Sequence, residues 1–301
     1  MTLAGLRTGG KAALARALAL IERSPDSQPV IELLSAAYAE PRAQVVGMTG
    51  PPGVGKSTLM NALIQTWRRA NRTVACIAVD PSSRRSGGAL LGDRTRLATD
   101  PEDQGVFVRS MAARDRLGGL AALTVSAMVL MRALYDVVLI ETVGVGQSET
   151  DVAGVADTVL FCVQPGSGDS LQFMKAGIAE IPHIVVVTKA DLGAAAERAK
   201  ADVIGALSLA DQEADWALPV LLVASLARQG VDAVVSAIDA HFRWLSGNQT
   251  LATQRQGQAA LWLVEALRER FGREGLRRAG DVSLRADQSP FLRLAELARQ
   301  L

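Results

Sequence analysis

Gly50-Pro51-Pro52-Gly53-Val54-Gly55-Lys56-Ser57-Thr58 is the segment whose residue types and spacing carry the most chemistry. It fits G-x-x-x-x-G-K-[ST], a loop that wraps nucleotide phosphates. Its glycines let the backbone curl so that successive N–H groups converge on phosphate oxygens. Lys56 brings a point charge to the β- and γ-phosphates, and the Ser57 hydroxyl can ligate Mg²⁺. A helix starting here turns its positive end toward the anion. Glycine-rich turns are common, so a plain turn is the alternative. The flanks argue against it: the apolar run Val45-Val46-Gly47-Met48 precedes the loop as a buried strand does, and Leu59-Met60-Asn61-Ala62-Leu63-Ile64 follows with a helical pattern.

Acidic residues at strand ends supply the rest of a phosphate site. Thr73 to Val79 ends in Asp80, and a carboxylate at the carboxyl end of a parallel strand faces the ligand crevice. Asp80 can order a metal-bound or attacking water; its plainer role is a turn cap before Pro81. Asp93, in the loop beyond Gly87-Gly88, is a second candidate for the metal or its waters. The strand Asp136-Val137-Val138-Leu139-Ile140 ends in Glu141, an apolar run closed by an acid, as in the Walker B pattern. Glu is one methylene longer than the usual Asp, so a water-mediated contact to Mg²⁺ is expected. In the following Thr142-Val143-Gly144-Val145-Gly146-Gln147-Ser148-Glu149, the Gly144 N–H can bond the γ-phosphate, and its release on hydrolysis makes a switch. Gln147 is a candidate for orienting water.

A third strand, His183 to Val187, ends in Thr188-Lys189-Ala190-Asp191. Guanine is read by such an Asn/Thr-Lys-x-Asp turn: the Asp accepts from N1–H and the exocyclic amine, a pair adenine cannot offer, while the Lys stem covers the base. The order of this turn after Glu141 strengthens the assignment. Thr188 stands where Asn is commoner, which predicts a shortened reach to neighbouring loops. Ser225 and Leu226, after the strand Val220 to Val223, are the expected last base-contacting residues.

The elements that position these residues follow from pattern. Strands are predicted at 44–48, 73–79, 105–109, 136–141, 157–163, 183–187 and 220–224, and helices at 56–70, 118–134, 170–179, 194–208 and 230–245. Their alternation implies an α/β, mostly parallel, doubly wound sheet with its loops along one edge. Hydrophobic residues make up 49% and aromatics only 4%, so the core is built from Ala, Val, Leu and Ile, which suits such a sheet. Residues 1–41 are read as a helical N-terminal arm and 42–245 as the nucleotide-binding domain. Residues 246–301 are read as a helical extension with Leu261, Val264, Leu267 and Phe271 as one apolar stripe. A formal charge of +1 provides no field for nucleic acid or an anionic membrane. Cys76 and Cys162 lie inside apolar runs and read as buried thiols in a reducing, cytoplasmic setting. No secretory leader or membrane span is evident.

The whole resembles the MeaB-type P-loop GTPases, G-protein chaperones of adenosylcobalamin-dependent acyl-CoA mutases. The resemblance rests on GPPGVGKST at 50–58, VDPSS at 79–83, LGDRTR at 91–96, ETVGVGQSE at 141–149, PGSGD at 165–169 and TKAD at 188–191. ETVGVGQSE is diagnostic, because ordinary GTPases carry Asp-x-x-Gly there. The resemblance implies GTP hydrolysis to GDP with Mg²⁺, a homodimer built with the C-terminal helices, and a mutase partner whose cofactor delivery the nucleotide gates. It also implies switch segments at Asp80–Arg96, Thr142–Glu149 and Gly166–Lys175. The family often has paired Lys residues where this chain has Lys175-Ala176, which removes one charge from any partner contact there.

Competing readings are a nickel-enzyme metallochaperone, a P-loop small-molecule kinase or transport-associated ATPase, and a non-catalytic binding module. The first normally needs a Cys/His cluster, which Cys76, Cys162, His183 and His241 do not form by spacing. The second would not need guanine selectivity, and Lys56, Ser57 and Glu141 argue against the third. Slow intrinsic turnover is expected, since no residue is an obvious pre-positioned base. Arg84 or Arg85 is a candidate internal arginine finger, with a solvated loop charge as the alternative.

Overall fold

The fold is described from a computed structural model, which places residues 1–81, 100, 102–113, 122–142, 151–166, 181–208 and 216–301; for 80, 81, 112, 113 and 122 only the backbone is considered. Seven strands form one parallel sheet: β1 (Gln44–Thr49), β2 (Val74–Pro81), β3 (Val106–Ala113), β4 (Val137–Glu141), β5 (Thr158–Val163), β6 (Ile184–Val187) and β7 (Val220–Leu222). Their order is β3-β2-β4-β1-β5-β6-β7. Every strand matches an expected one to within a few residues. The reason is two-sided burial: a strand covered on both faces must be apolar throughout, as β4 is, with every residue buried.

Alternate residues of each strand feed opposite cores. Val45, Ala75, Ile77, Val138 and Ile140 join one core with α1 (Leu3–Arg23), α2 (Gln28–Ala39) and α4 (Ala122–Leu134). Val46, Met48, Cys76 and Leu139 join the other with α3 (Lys56–Arg69) and α6 (Val231–Gly247). A smaller core lies under α5 (Ala194–Leu207) at β5 and β6. The helix expected at 170–179 lies outside the described residues. Both cysteines are free and buried, and burial pushes the Cys162 thiol up to about 12.

α1 and α2 both pack on α4. Gly10 interrupts α1 with φ 60°, so its helical pattern is two segments meeting at a left-handed glycine. At the other end of the chain come α7 (Thr250–Arg278), interrupted at Gly272 with φ 68°, and α8 (Pro290–Ala298). The expected stripe on α7 needs correcting. Leu267 is buried and Val264 and Phe271 are half-buried, but Leu261 is 68% exposed. The inward face is Ala259, Leu263, Ala266 and Leu267, a four-three-one spacing that places Leu261 on another side of the helix. Ser35 on α2 and Ser289 at the start of α8 share a 2.8 Å hydroxyl hydrogen bond, tying the N-terminal helices to the C-terminal ones. Among the described residues no helix is long and apolar enough to cross a membrane.

Candidate functional site

The phosphate loop leaves the fully buried β1 at the carboxyl edge, beside the point where the strand order reverses. Gly50 turns the chain at φ 137°, and a Cβ there would stand 2.3 Å from the Cys162 carbonyl oxygen. Glycine is therefore demanded by both backbone angle and close approach. Gly55, at φ 99°, caps the first turn of α3, which begins at Lys56. The buried Lys56 ammonium donates to the Gly50 carbonyl at 2.6 Å and the Pro51 carbonyl at 3.0 Å, so the side chain lies back across the loop.

The acid at the end of β4 meets this loop. Register pairs Met48 with Glu141, and Ser57 Oγ donates to Glu141 Oε1 at 2.9 Å. A hydroxyl and a carboxylate oxygen in contact form a hard donor set of the kind Mg²⁺ takes. The next residue ties down the root of the following segment. The Thr142 N–H donates to the Met48 carbonyl at 3.2 Å, and its hydroxyl to Thr49 Oγ1 at 3.2 Å. Asp80 lies at the same edge by its backbone, since Ala78 pairs with Glu141. Asp93, Gly144, Gln147, Arg84, Arg85 and Lys175 lie outside the described residues.

The turn expected to read the base, Thr188 to Asp191, is tied to the phosphate loop. Thr188 is buried, and its Oγ lies 2.6 Å from the Val54 carbonyl and 2.9 Å from the Val163 carbonyl, its single proton serving one at a time. The shorter side chain therefore does reach the neighbouring loop, because the Val54 carbonyl comes to it. Lys189 takes a left-handed conformation at φ 55°, and its ammonium bonds Gln164 Oε1. The Ala190 N–H donates to the Val223 carbonyl at 3.1 Å, which brings the turn beside the loop carrying Ser225 and Leu226. That loop is closed by a pair of hydrogen bonds between Ala224 and Gln229, at 3.0 and 3.1 Å. Asp191 is exposed, with its carboxylate open to a ligand, and Leu226 is 92% exposed. Pro51, Pro52, Gly53 and Thr58 complete the loop and the first turn of α3.

Two contributors escaped the sequence reading. Gln164, one residue beyond β5, positions Lys189, and the Thr49–Thr142 pair joins β1 to the segment after Glu141. All are polar residues at the carboxyl end of a parallel strand, Thr49 its last residue and Thr142 and Gln164 just past it, and that position was the available signal.

Comparison with known proteins bears on this geometry. The family model for "Methylmalonyl Co-A mutase-associated GTPase MeaB" matches residues 14–277. The GTPase ArgK of Escherichia coli K12 is 36% identical over 274 residues, covering 88% of this chain and 82% of its own. The methylmalonic aciduria type A homolog, mitochondrial, of Mus musculus is 33% identical over 282 residues, covering 88% and 68%. A crystal structure of an LAO/AO transport system kinase superposes with TM-score 0.68 at 28% identity, covering 99% of this chain and 95% of that one.

Proposed function

The chain belongs to the MeaB family of methylmalonyl-CoA mutase-associated GTPases, and on that premise we propose that it is a GTP-driven chaperone. Its client would be an adenosylcobalamin-dependent acyl-CoA mutase, with cofactor delivery gated and the mutase protected or reactivated. The chain is a GTPase of the P-loop fold and binds guanine nucleotide; the roles of individual residues are part of the proposal. Lys56 exchanges its two carbonyl partners for β- and γ-phosphate oxygens when GTP enters. Ser57 and Glu141 would hold Mg²⁺, with Asp80 and Asp93 reaching it or its waters; when bound, the ion would supply positive charge against that developing on the phosphates. Backbone N–H groups of 50–58 cradle the phosphates, Gly144 senses the γ-phosphate, and Gln147 orients water. Asp191 accepts from guanine N1–H and its amine, Lys189 covers the base, and Thr188, Ser225 and Leu226 shape its pocket.

Residues 1–41 and 246–301 act in this reading as arms on a GTPase domain at 42–245, the second arm dimerising. The observation that carries the site assignment is the 2.9 Å Ser57–Glu141 contact, which sets a metal donor pair beside Lys56 in a chain of this family. Turnover of the chain alone is slow, and the mutase accelerates it by ordering the switch segments. The test measures phosphate release from GTP and from ATP, with and without a purified adenosylcobalamin-dependent acyl-CoA mutase of the same organism. The expected result is GTP-selective turnover accelerated at least about tenfold, or about 1.4 kcal/mol, by the mutase. Selective but unaccelerated turnover, with no nucleotide-dependent complex, would overturn the mutase reading; equal ATP turnover would overturn the guanine assignment.

A further inference from the structure

The end of β5 grips the turn Thr188 to Asp191 through two successive residues. The Val163 carbonyl, at the last position of the strand, accepts the Thr188 N–H at 2.9 Å and lies 2.9 Å from the Thr188 hydroxyl. The next residue, Gln164, is half-buried and turns its amide oxygen to the Lys189 ammonium. Val163 thus fixes the main chain of the turn, and Gln164 fixes a side chain one position further on.

Lys189 needs the second grip because the first leaves its side chain loose. Its backbone is set at φ 55°, a left-handed value uncommon for a residue with a Cβ. The bond from Thr188 to Val163 holds it on one side, and the Ala190 N–H on the Val223 carbonyl, at 3.1 Å, holds it on the other. An unusual backbone angle kept at a ligand-facing edge is the kind of local cost that structures retain for function. A set backbone aims the Cα–Cβ bond and nothing beyond it. Lys189 is exposed, and a lysine stem is among the side chains that lose most rotamer freedom when ordered. Among the described residues its ammonium has one hydrogen-bond partner, Gln164 Oε1, and no carboxylate. An amide oxygen holds the ammonium without cancelling its charge, so the cation stays available to the face of an aromatic base.

We propose that Gln164 is a positioning residue for guanine: it sets the Lys189 stem in place before the nucleotide arrives, so that binding does not have to order that side chain. This rests on the reading of Thr188 to Asp191 as the turn that receives guanine. Preorganisation of this kind raises affinity by removing an ordering cost. The base is common to GTP and GDP, so both should feel it equally, while chemistry at the γ-phosphate should not.

The test measures GTP, GDP and ATP binding to the full chain by titration calorimetry, together with turnover at saturating GTP. Gln164→Ala should weaken GTP and GDP alike by about fivefold and leave kcat within about twofold of the parent. Gln164→Glu, which keeps an acceptor oxygen at the same reach, should bind within about twofold of the parent. In a Lys189→Ala background, Gln164→Ala should add less than about a twofold loss, because its partner is already gone. A Gln164→Ala chain of parental affinity would overturn the proposal, as would a loss confined to GTP, a loss of the same size without Lys189, or a Gln164→Glu chain that binds no better than Gln164→Ala. The parent and Asp191→Asn report on the guanine turn separately. A preference for GTP over ATP that Asp191→Asn weakens upholds the turn whatever Gln164 does, whereas equal ATP and GTP binding by the parent removes the turn and the role of Gln164 with it.

Discussion

Lys56 and Thr188 stand at opposite ends of the proposed nucleotide site, and both hydrogen-bond the backbone of the phosphate loop, Thr188 sharing its proton with the Val163 carbonyl of β5. The Lys56 ammonium sits on the Gly50 and Pro51 carbonyls, so the proposed exchange onto phosphate would replace neutral acceptors with anionic ones. Charge-assisted hydrogen bonds are about twice as strong as neutral ones. Lys56→Ala should therefore lower GTP affinity by at least about 100-fold, about 2.7 kcal/mol, while circular dichroism stays that of the parent. Titration calorimetry that returned parental affinity would remove Lys56 from the phosphate site. Thr188 acts through shape rather than charge. Thr188→Val keeps its volume but leaves the buried Val54 carbonyl without this hydroxyl, at a cost of about 1–3 kcal/mol. The expected outcome is a lower denaturation midpoint together with weaker GTP binding, both restored by Thr188→Ser. Loss of stability with unchanged binding would make Thr188 a core residue only.

The elements were legible where burial imposes a pattern. Val137 to Ile140 and Ile184 to Val187 are apolar throughout because helices cover both faces, and runs of that kind stand out in a sequence. The phosphate loop was equally legible, since its glycines, Lys56 and Ser57 lie within nine residues. Contacts between distant segments were not. Thr188 and Val54 are 134 positions apart, and nothing local to either predicts their meeting. Nor did periodicity distinguish the two sides of α7 at Leu261. The same limit applies to the histidines, which looked like isolated strand and helix residues. His183, just before β6, and His241, on α6, pack with ring centroids 4.3 Å apart. His241 Nδ1 lies 2.8 Å from the Thr158 hydroxyl, and His183 Nδ1 accepts the Val159 N–H at 2.9 Å. Burial pushes His183 down to about 4 despite the opposing charge of Asp157, and burial with the neighbouring His183 pushes His241 down to about 3. Above about pH 6.5 both rings are neutral in folded and unfolded chains, so they add no pH dependence. Below it the unfolded chain binds protons that the folded one refuses until those lower values. Stability should therefore fall from about pH 6.5 toward 4, by up to about 1.4 kcal/mol per unit for each ring. Urea midpoints at pH 7.5, 6 and 5 check this, and a flat profile that His241→Gln leaves unchanged would refute it.

At the scale of the whole molecule, the C-terminal helices have two sides with different tasks. Their inner side is anchored: Leu263, Leu267, Leu294 and Leu297 form one cluster, and Arg255 reaches the buried Asp157. The outer side carries Leu261 at 68% exposure and Leu292 at 39%. Single exposed leucines are ordinary on a protein surface. Leu261 gains meaning from its place on the helix proposed to dimerise, half a turn from the anchored face. A two-fold axis there would set the same patch against itself, so one substitution acts twice in the interface. The chain should scatter light with twice its 31.7 kDa mass. Leu261→Glu places two carboxylates in that contact and should yield monomers, with the melting midpoint and mutase-free GTP turnover within about 0.5 kcal/mol of the parent. A Leu261→Glu protein that stays dimeric would move the interface off this face of α7. A parent chain that is monomeric at high concentration would remove dimerisation from the proposal, leaving the inner face of α7 as the sole packing role of the helix.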